Sequence, residues 1–258
     1  MRLQTKRMIR SLAALFLFAL LMDPVNQACA QTQSFRAEYS VTLLGLPVAK
    51  ARFDSTFTGD RFSIEGSLAS SGVARLFDKT TGTTRVEGAI GRDRVEPHAF
   101  SSSYRSGKKR SRTTIRYAGD AVSSVDNTPE PRKGRNWVPV EEGHLRSVLD
   151  PLSSTLIRTS DPAKVCNRTV RVFDGEMRAD LKLSPRSTGQ GRIVCDARFV
   201  PVAGYRKGRK QIEFLKNESR IAITFARLGD TGFYAPVDAS VGTQIGTLRI
   251  TASRNVAR

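Results

Sequence analysis

The sequence predicts an all-β fold, mainly antiparallel: a single strongly curved sheet or open β-barrel with one short helix covering it. Three observations carry that expectation. Apolar and polar residues alternate with period two in segment after segment from Phe35 onward. Turn residues recur roughly every eight to twelve positions, the rhythm of sandwiches and barrels. Only Glu141 to Arg158 carries helical spacing over any length.

The chain has 258 residues. Arg2, Lys6, Arg7 and Arg10 precede an apolar run from Leu12 to Met22, and Ala28-Cys29-Ala30 supplies small residues for cleavage. That order reads as a secretory signal over residues 1–30. The run is short of the about 20 residues a bilayer span takes. Asn26 stands where a lipoprotein signal would want an aliphatic residue before Cys29. The expectation is therefore one β-rich periplasmic domain, residues 31–258, peripheral rather than transmembrane.

Phe35, Ala37, Tyr39, Val41 and Leu43 alternate with Arg36, Glu38, Ser40 and Thr42, a half-buried strand. Gly45-Leu46-Pro47 bends the chain, and Ala49 to Phe57 resumes the alternation as an antiparallel partner. Gly59-Asp60 turns it again into a third strand through Phe62, Ile64 and Leu68. Val73, Leu76 and Phe77 fit one helical turn. Further strands are expected at Thr83 to Ile90, Ala99 to Arg105 and Arg110 to Tyr117, and Pro129 to Gly134 reads as a loop.

Leu145, Val148, Leu149, Leu152 and Leu156 follow helical spacing, with Asp150-Pro151 as N-cap and first position of a restarted helix. Beyond Cys166, Thr169 to Phe173 and Glu176 to Leu183 meet across Asp174-Gly175, a short-range hairpin signal. Strands are expected at Ile193 to Val200, Gln211 to Leu215, Arg220 to Leu228 and Thr243 to Thr251.

Tyr39 with Leu44-Gly45-Leu46-Pro47-Val48, then Asp150-Pro151-Leu152, Val172-Phe173-Asp174-Gly175, and Cys195 with Pro201-Val202-Ala203-Gly204-Tyr205 occur in that order. In this order the chain resembles the bacterial domain-of-unknown-function family 3108 of exported proteins, from about Phe35 to Leu248. The resemblance implies a secreted, β-rich envelope protein without an assigned activity, and it carries over no catalytic residues.

Cys166 and Cys195 are the cysteines left after signal removal. In an oxidising compartment they point to a disulfide, since they form no Cys-x-x-Cys and no histidine lies near them. His98 and His144 are the only histidines, which leaves little material for a zinc site or a Ser-His-Asp triad. Glu141 and Glu142 are adjacent and so diverge on any regular element, Asp150 is explained by capping, and Asp174 by its turn. No catalytic residue, metal ligand or cofactor motif is expected.

The composition is strongly basic: 42 Lys and Arg against 24 Asp and Glu, a net charge of +18. For an exported chain the plausible anions are lipid, lipopolysaccharide or peptidoglycan rather than nucleic acid. Basic clusters fall in turns and loops. Arg110, Arg112, Arg132, Arg135, Arg206 and Arg209 would form an anion-binding rim if the turns converge, with Trp137 and Tyr205 as flat apolar surface. The interior face, from Phe35, Tyr39, Val41, Phe53 and Phe57, is either a packed core or an apolar pocket, because a barrel lining and a core use the same alternation. The expected function is a non-enzymatic envelope protein that binds a lipid-like or anionic component and supports envelope integrity. A structural protein docking an envelope partner is the alternative, and a cell-wall hydrolase a third.

Overall fold

The alternation that opens at Phe35 becomes the first ladder of a sheet that continues through most of the chain. The computed structural model describes residues 32–77 and 79–257; the expected signal segment lies outside them. Seven strands form an antiparallel meander: β1 (Thr32–Leu43), β2 (Leu46–Thr58), β3 (Arg61–Ser70), β4 (Thr80–Ile90), β5 (Val95–Ser106), β6 (Lys109–Ala118) and β7 (Ala121–Thr128). A single helical turn, α1 (Ala74–Phe77), links β3 to β4.

After an irregular stretch holding β8 (Trp137–Val138) and β9 (Ile157–Arg158), the sheet resumes with β10 (Arg168–Phe173), β11 (Arg178–Gly189) and β12 (Arg192–Ala203). The two-residue β13 (Tyr205–Arg206) and the helix α2 (Lys210–Asn217) lead into β14 (Ile221–Arg227), β15 (Phe233–Thr243) and β16 (Gly246–Ala257). Strand β16 returns to pair with β1, so the sheet runs β10-β11-β12-β14-β15-β16-β1-β2-β3-β4-β5-β6-β7, with β9 added to β15. The fold is all-β, one large curved sheet that is not closed, with a short helix over it.

The two free edges, β7 and β10, do not pair with each other. The chain between them spans the gap instead. Arg146 bridges Ala121 of β7, and Leu149 bridges Val172 of β10 through Leu149 N–H to Arg171 O and Phe173 N–H to Leu149 O, both 2.9 Å. Ser147, at φ 53°, makes the bend between these opposite directions, and its N–H donates to Asp120 O. Arg178, 5% exposed, reinforces the seam by donating to His144 O while pairing with Asp180 at 2.7 Å.

This seam corrects the expected helix at Glu141 to Arg158. The segment holds two 3-10 turns, Glu142–Leu145 and Ser153–Thr155, and ends in β9. Gly143, Ser147, Pro151 and the Ser-Ser-Thr run are poor helix formers, and the two sheet edges offer its backbone better partners. Asp150 does cap, but a tighter turn: its Oδ1 accepts from Leu152 N–H and Ser153 N–H at 2.9 and 3.0 Å. The covering helix is α2, where Gln211 to Leu215 suggests a strand. Ile212 and Leu215, three apart, pack on the interior cluster, and α2 lies against β12 and β15.

Antiparallel pairing gives the sheet two ends. One, the floor, carries the 59–60, 91–94, 119–120, 190–191 and 228–232 turns together with the 139–167 excursion. There Phe35, Phe57, Phe62, Val95, Phe100 and Phe233 are buried with Val148, Leu152 and Leu156 from the excursion. Phe57 lies between Phe35 and Phe233, at ring distances of 6.1 and 5.2 Å. The other end, the mouth, carries the 44–45, 71–79, 107–108, 129–136, 174–177, 204–220 and 244–245 connections.

Candidate functional site at the apolar interior and basic mouth

The same alternation that packs the floor leaves space toward the mouth. Along β1, Phe35 is buried, whereas Tyr39, Val41 and Leu43 on the same face are only half-buried. On β3, Phe62 and Ile64 are buried and Leu68 is not. Tyr39, Val41 and Leu68 line an apolar cavity of about 370 Å³ with Ala51, Phe53, Leu181, Ile223 and Ile250. Leu152, Ser154, Thr155 and Leu156 of the excursion close its inner side. Phe35, Tyr39, Val41 and Phe53 therefore line the cavity, while Phe57 belongs to the packed floor.

Tyr39 is the polar fixture of this wall. Its hydroxyl donates to Pro236 O at 2.6 Å, and its ring meets Phe53 edge-on at 5.7 Å. Burial pushes its phenol up to about 12. Deeper in, Asp150 is fully buried; its Oδ2, Tyr117 Oη and Ser153 Oγ have no hydrogen-bond partner among the described protein atoms. Burial raises the Asp150 carboxyl above the ordinary carboxylate range, against the bonds from Ser153 and Leu152, which lower it. Burial and the charge of Asp150 raise Tyr117 as well.

At the mouth, three of the six predicted arginines converge. Trp137 of β8 pairs with Arg206 of β13, and Val138 with Tyr205, which fixes Trp137 and Tyr205 on neighbouring strands. Gly204 makes that approach possible: its N–H donates to Val138 O, its φ is +73°, and a Cβ there would run into the Glu176 carbonyl. Arg132, Arg206 and Arg209 then line an open groove of about 1000 Å³ with Trp137 and Tyr205. Lys133, Lys207, Met177 and Ile212 complete it, and Asp174 and Glu176 enter on the hairpin side. Burial raises the Glu176 carboxyl, Asp174 adds to the rise, and Arg209 opposes it.

The remaining predicted residues lie elsewhere. Arg135 is exposed on the 129–136 loop beside the groove without lining it. Arg110 lines a separate surface depression that Arg132 also borders. Arg112 sits on the outer face of the sheet, in a hydroxyl-rich trough with Ser101, Ser103 and Thr114. The rim is thus a three-arginine groove rather than a six-arginine ring. Turns that share an end of a curved sheet still point to different sides of its wall.

Cys166 and Cys195 are joined by a disulfide. Cys195 stands opposite Ile223 in the β12–β14 ladder and so faces the interior, where the bond ties the returning excursion to the wall. His98 is exposed on β5, and His144 Nδ1 accepts from Glu141 N–H at 3.1 Å. Among the described residues, no three His, Cys, Asp or Glu side chains cluster as metal ligands.

Met177, Ile212, Lys133 and Lys207 were not singled out by sequence. Lys133 and Lys207 carry the same basic-cluster signal as their arginine neighbours. Met177 and Ile212 carry none, because only tertiary pairing brings hairpin 174–177 to α2.

Residues 38–253 match the family described as "Protein of unknown function (DUF3108)". The chain belongs to that family. No curated protein matches this DUF3108 chain. Among solved structures, a beta-barrel-like protein of domain of unknown function DUF1849 from Brucella abortus shares 8% identity with it, with a TM-score of 0.45, covering 89% of this chain and 99% of that one. None of the described DUF3108 helices is long and apolar enough to cross a membrane.

Proposed function

We propose that this protein is a non-enzymatic periplasmic binder of a lipid-like guest, and that it supports envelope integrity by carrying or holding that guest. The observation that supports the reading is the exposure gradient along β1 and β3. Apolar residues facing inward are half-exposed toward the mouth, so the interior keeps unfilled apolar volume there. Unfilled apolar volume forfeits packing contacts that an apolar guest would restore. At about 370 Å³ the cavity lies at the low end of ligand pockets and suits one acyl chain rather than two. The polar groups at such a site would orient the guest, and the arginine groove at the mouth would hold an anionic headgroup through paired hydrogen bonds.

The test is binding of a fluorescent long-chain fatty acid by the purified protein, with a cavity-filling variant alongside. Ala51→Phe places a ring among Tyr39, Phe53 and Leu68 and should weaken binding at least tenfold while leaving the protein folded. Replacing Arg206 and Arg209 by Gln should weaken the charged fatty acid more than its methyl ester. Absence of binding by the parent, or equal binding by Ala51→Phe, would rule the reading out.

A further inference from the structure

The largest exposed aliphatic side chains stand together at the mouth. Leu44 is 70% exposed and Leu46 54% at the β1–β2 turn, and Ile245 is 70% exposed at the β15–β16 turn. These turns are neighbours because β16 pairs with β1: Leu44 N–H donates to Thr247 O, and the Leu44 side chain lies against Gly246. Val73, 38% exposed, follows on the next connection, which is held to the start of β2 by Ser71 N–H to Val48 O at 2.9 Å.

Leu44 is unusual beyond its exposure. Its φ is 52°, the left-handed region where a two-residue hairpin turn normally places Asn, Asp or Gly. An apolar side chain held in that conformation, in water, gains nothing from the fold itself.

Charge is distributed to match. By sequence, the mouth connections carry twelve basic and six acidic residues, whereas the floor turns carry two and four. Around the aliphatic tips, Lys50, Arg75, Lys79 and Lys108 are exposed. Segment 43–50 contains no carboxylate, and neither does 243–249.

We propose that the mouth docks on an anionic bilayer surface, with Leu44, Leu46 and Ile245 entering the headgroup layer and the surrounding cations meeting lipid phosphates. Aliphatic tips ringed by cations match the layered chemistry of that surface, apolar below and negative above, better than they match a folded protein. The inference deepens the lipid-binding reading by naming the surface from which the guest would enter. It rests on that reading only for its purpose; the contact itself is read separately.

Cosedimentation with vesicles tests it. The parent should bind vesicles of phosphatidylglycerol and phosphatidylethanolamine, release them as salt rises, and ignore vesicles of phosphatidylcholine alone. The combined variant Leu44→Asn, Leu46→Thr, Ile245→Asn should bind the anionic vesicles at least tenfold more weakly. Each replacement suits its backbone position, and circular dichroism checks that the sheet persists. The same variant should still take a monomeric fluorescent fatty acid from solution with parental affinity. Vesicle binding unchanged by the variant, equal binding to neutral vesicles, or no binding by the parent would each overturn the docking proposal. Loss of fatty-acid binding in Ala51→Phe with vesicle binding retained would leave the docking proposal standing, and failure of the parent to bind fatty acid would sink the guest reading alone.

Discussion

The floor and the mouth of the sheet are built from the same alternating strands and end in opposite states. At the floor, inward residues are aromatic and meet an excursion that brings Val148, Leu152 and Leu156 to them, and the turns are on balance acidic. At the mouth, the inward residues Val41, Ala51 and Leu68 are only half-buried, no part of the excursion fills the space between them, and the connections are basic. What distinguishes a core from a cavity here is a segment arriving from elsewhere in the chain. Strand patterning alone specifies only which face is apolar.

That contrast can be broken by truncating one residue at each end. Phe233 is 1% exposed, stacked near Phe57, with Arg158 5.6 Å above its ring. Phe233→Ala should cost about 3–5 kcal/mol. Leu68→Ala, at the half-buried mouth, should cost about 1 kcal/mol, because its side chain already faces open volume. Urea denaturation of the two variants decides it. Equal losses would mean the mouth is packed as tightly as the floor, and the cavity would lose its physical basis.

The disulfide sharpens the comparison, since it anchors the excursion that makes the floor. Closing the 29-residue separation between Cys166 and Cys195 should stabilise by about 3.6 kcal/mol on the chain-entropy model. The variant Cys166→Ser should lower the denaturation midpoint yet leave fatty-acid binding largely intact at low temperature, since no cysteine lines the cavity. A serine variant that melts like the parent would show that the excursion is held by its hydrogen bonds and packing alone.

How much of this was legible from residues depends on what made each element. The β1, β2 and β3 strands were readable because one face of each is apolar and the other polar. Strand β7 was not: as an edge strand it has Ser123, Ser124, Asp126 and Asn127 exposed or half-exposed on both faces. Strand β15 was hidden by Pro236, which the sheet accommodates beside a register irregularity at Thr224/Phe225. The leucines of 145–156 have true helical spacing, but two free sheet edges claimed their backbone. Of the site, the arginines and Trp137 were visible as clusters. The pairing of Trp137-Val138 with Tyr205-Arg206 was not, since two-residue strands far apart in sequence leave no pattern. Whether the interior was filled depended on the reach of the excursion, a tertiary property.

The smallest expected effect concerns the two buried acids, Tyr39 on the cavity wall and Asp150 against the floor. Burial raises the pKa of both, so both make stability fall as pH rises, over different ranges. For Asp150, the unfolded carboxyl ionises first as pH climbs through the ordinary carboxylate range; stability is therefore full below that range and declines above it. Asp150→Asn keeps an acceptor for Leu152 N–H and Ser153 N–H and should abolish the decline. For Tyr39 the unfolded phenol ionises near 10 and the folded one at about 12, so stability should hold below pH 10 and fall from there toward 12. Tyr39→Phe removes the bond to Pro236 O, costing about 1 kcal/mol at neutral pH, and should flatten the alkaline slope relative to the parent. Denaturation midpoints measured from pH 3 to 11.5, across the carboxylate and phenol ranges, separate the two variants. An alkaline slope in Tyr39→Phe equal to the parent's would mean that the phenol reaches water, and that the mouth admits solvent deeper than the Tyr39–Phe53 contact.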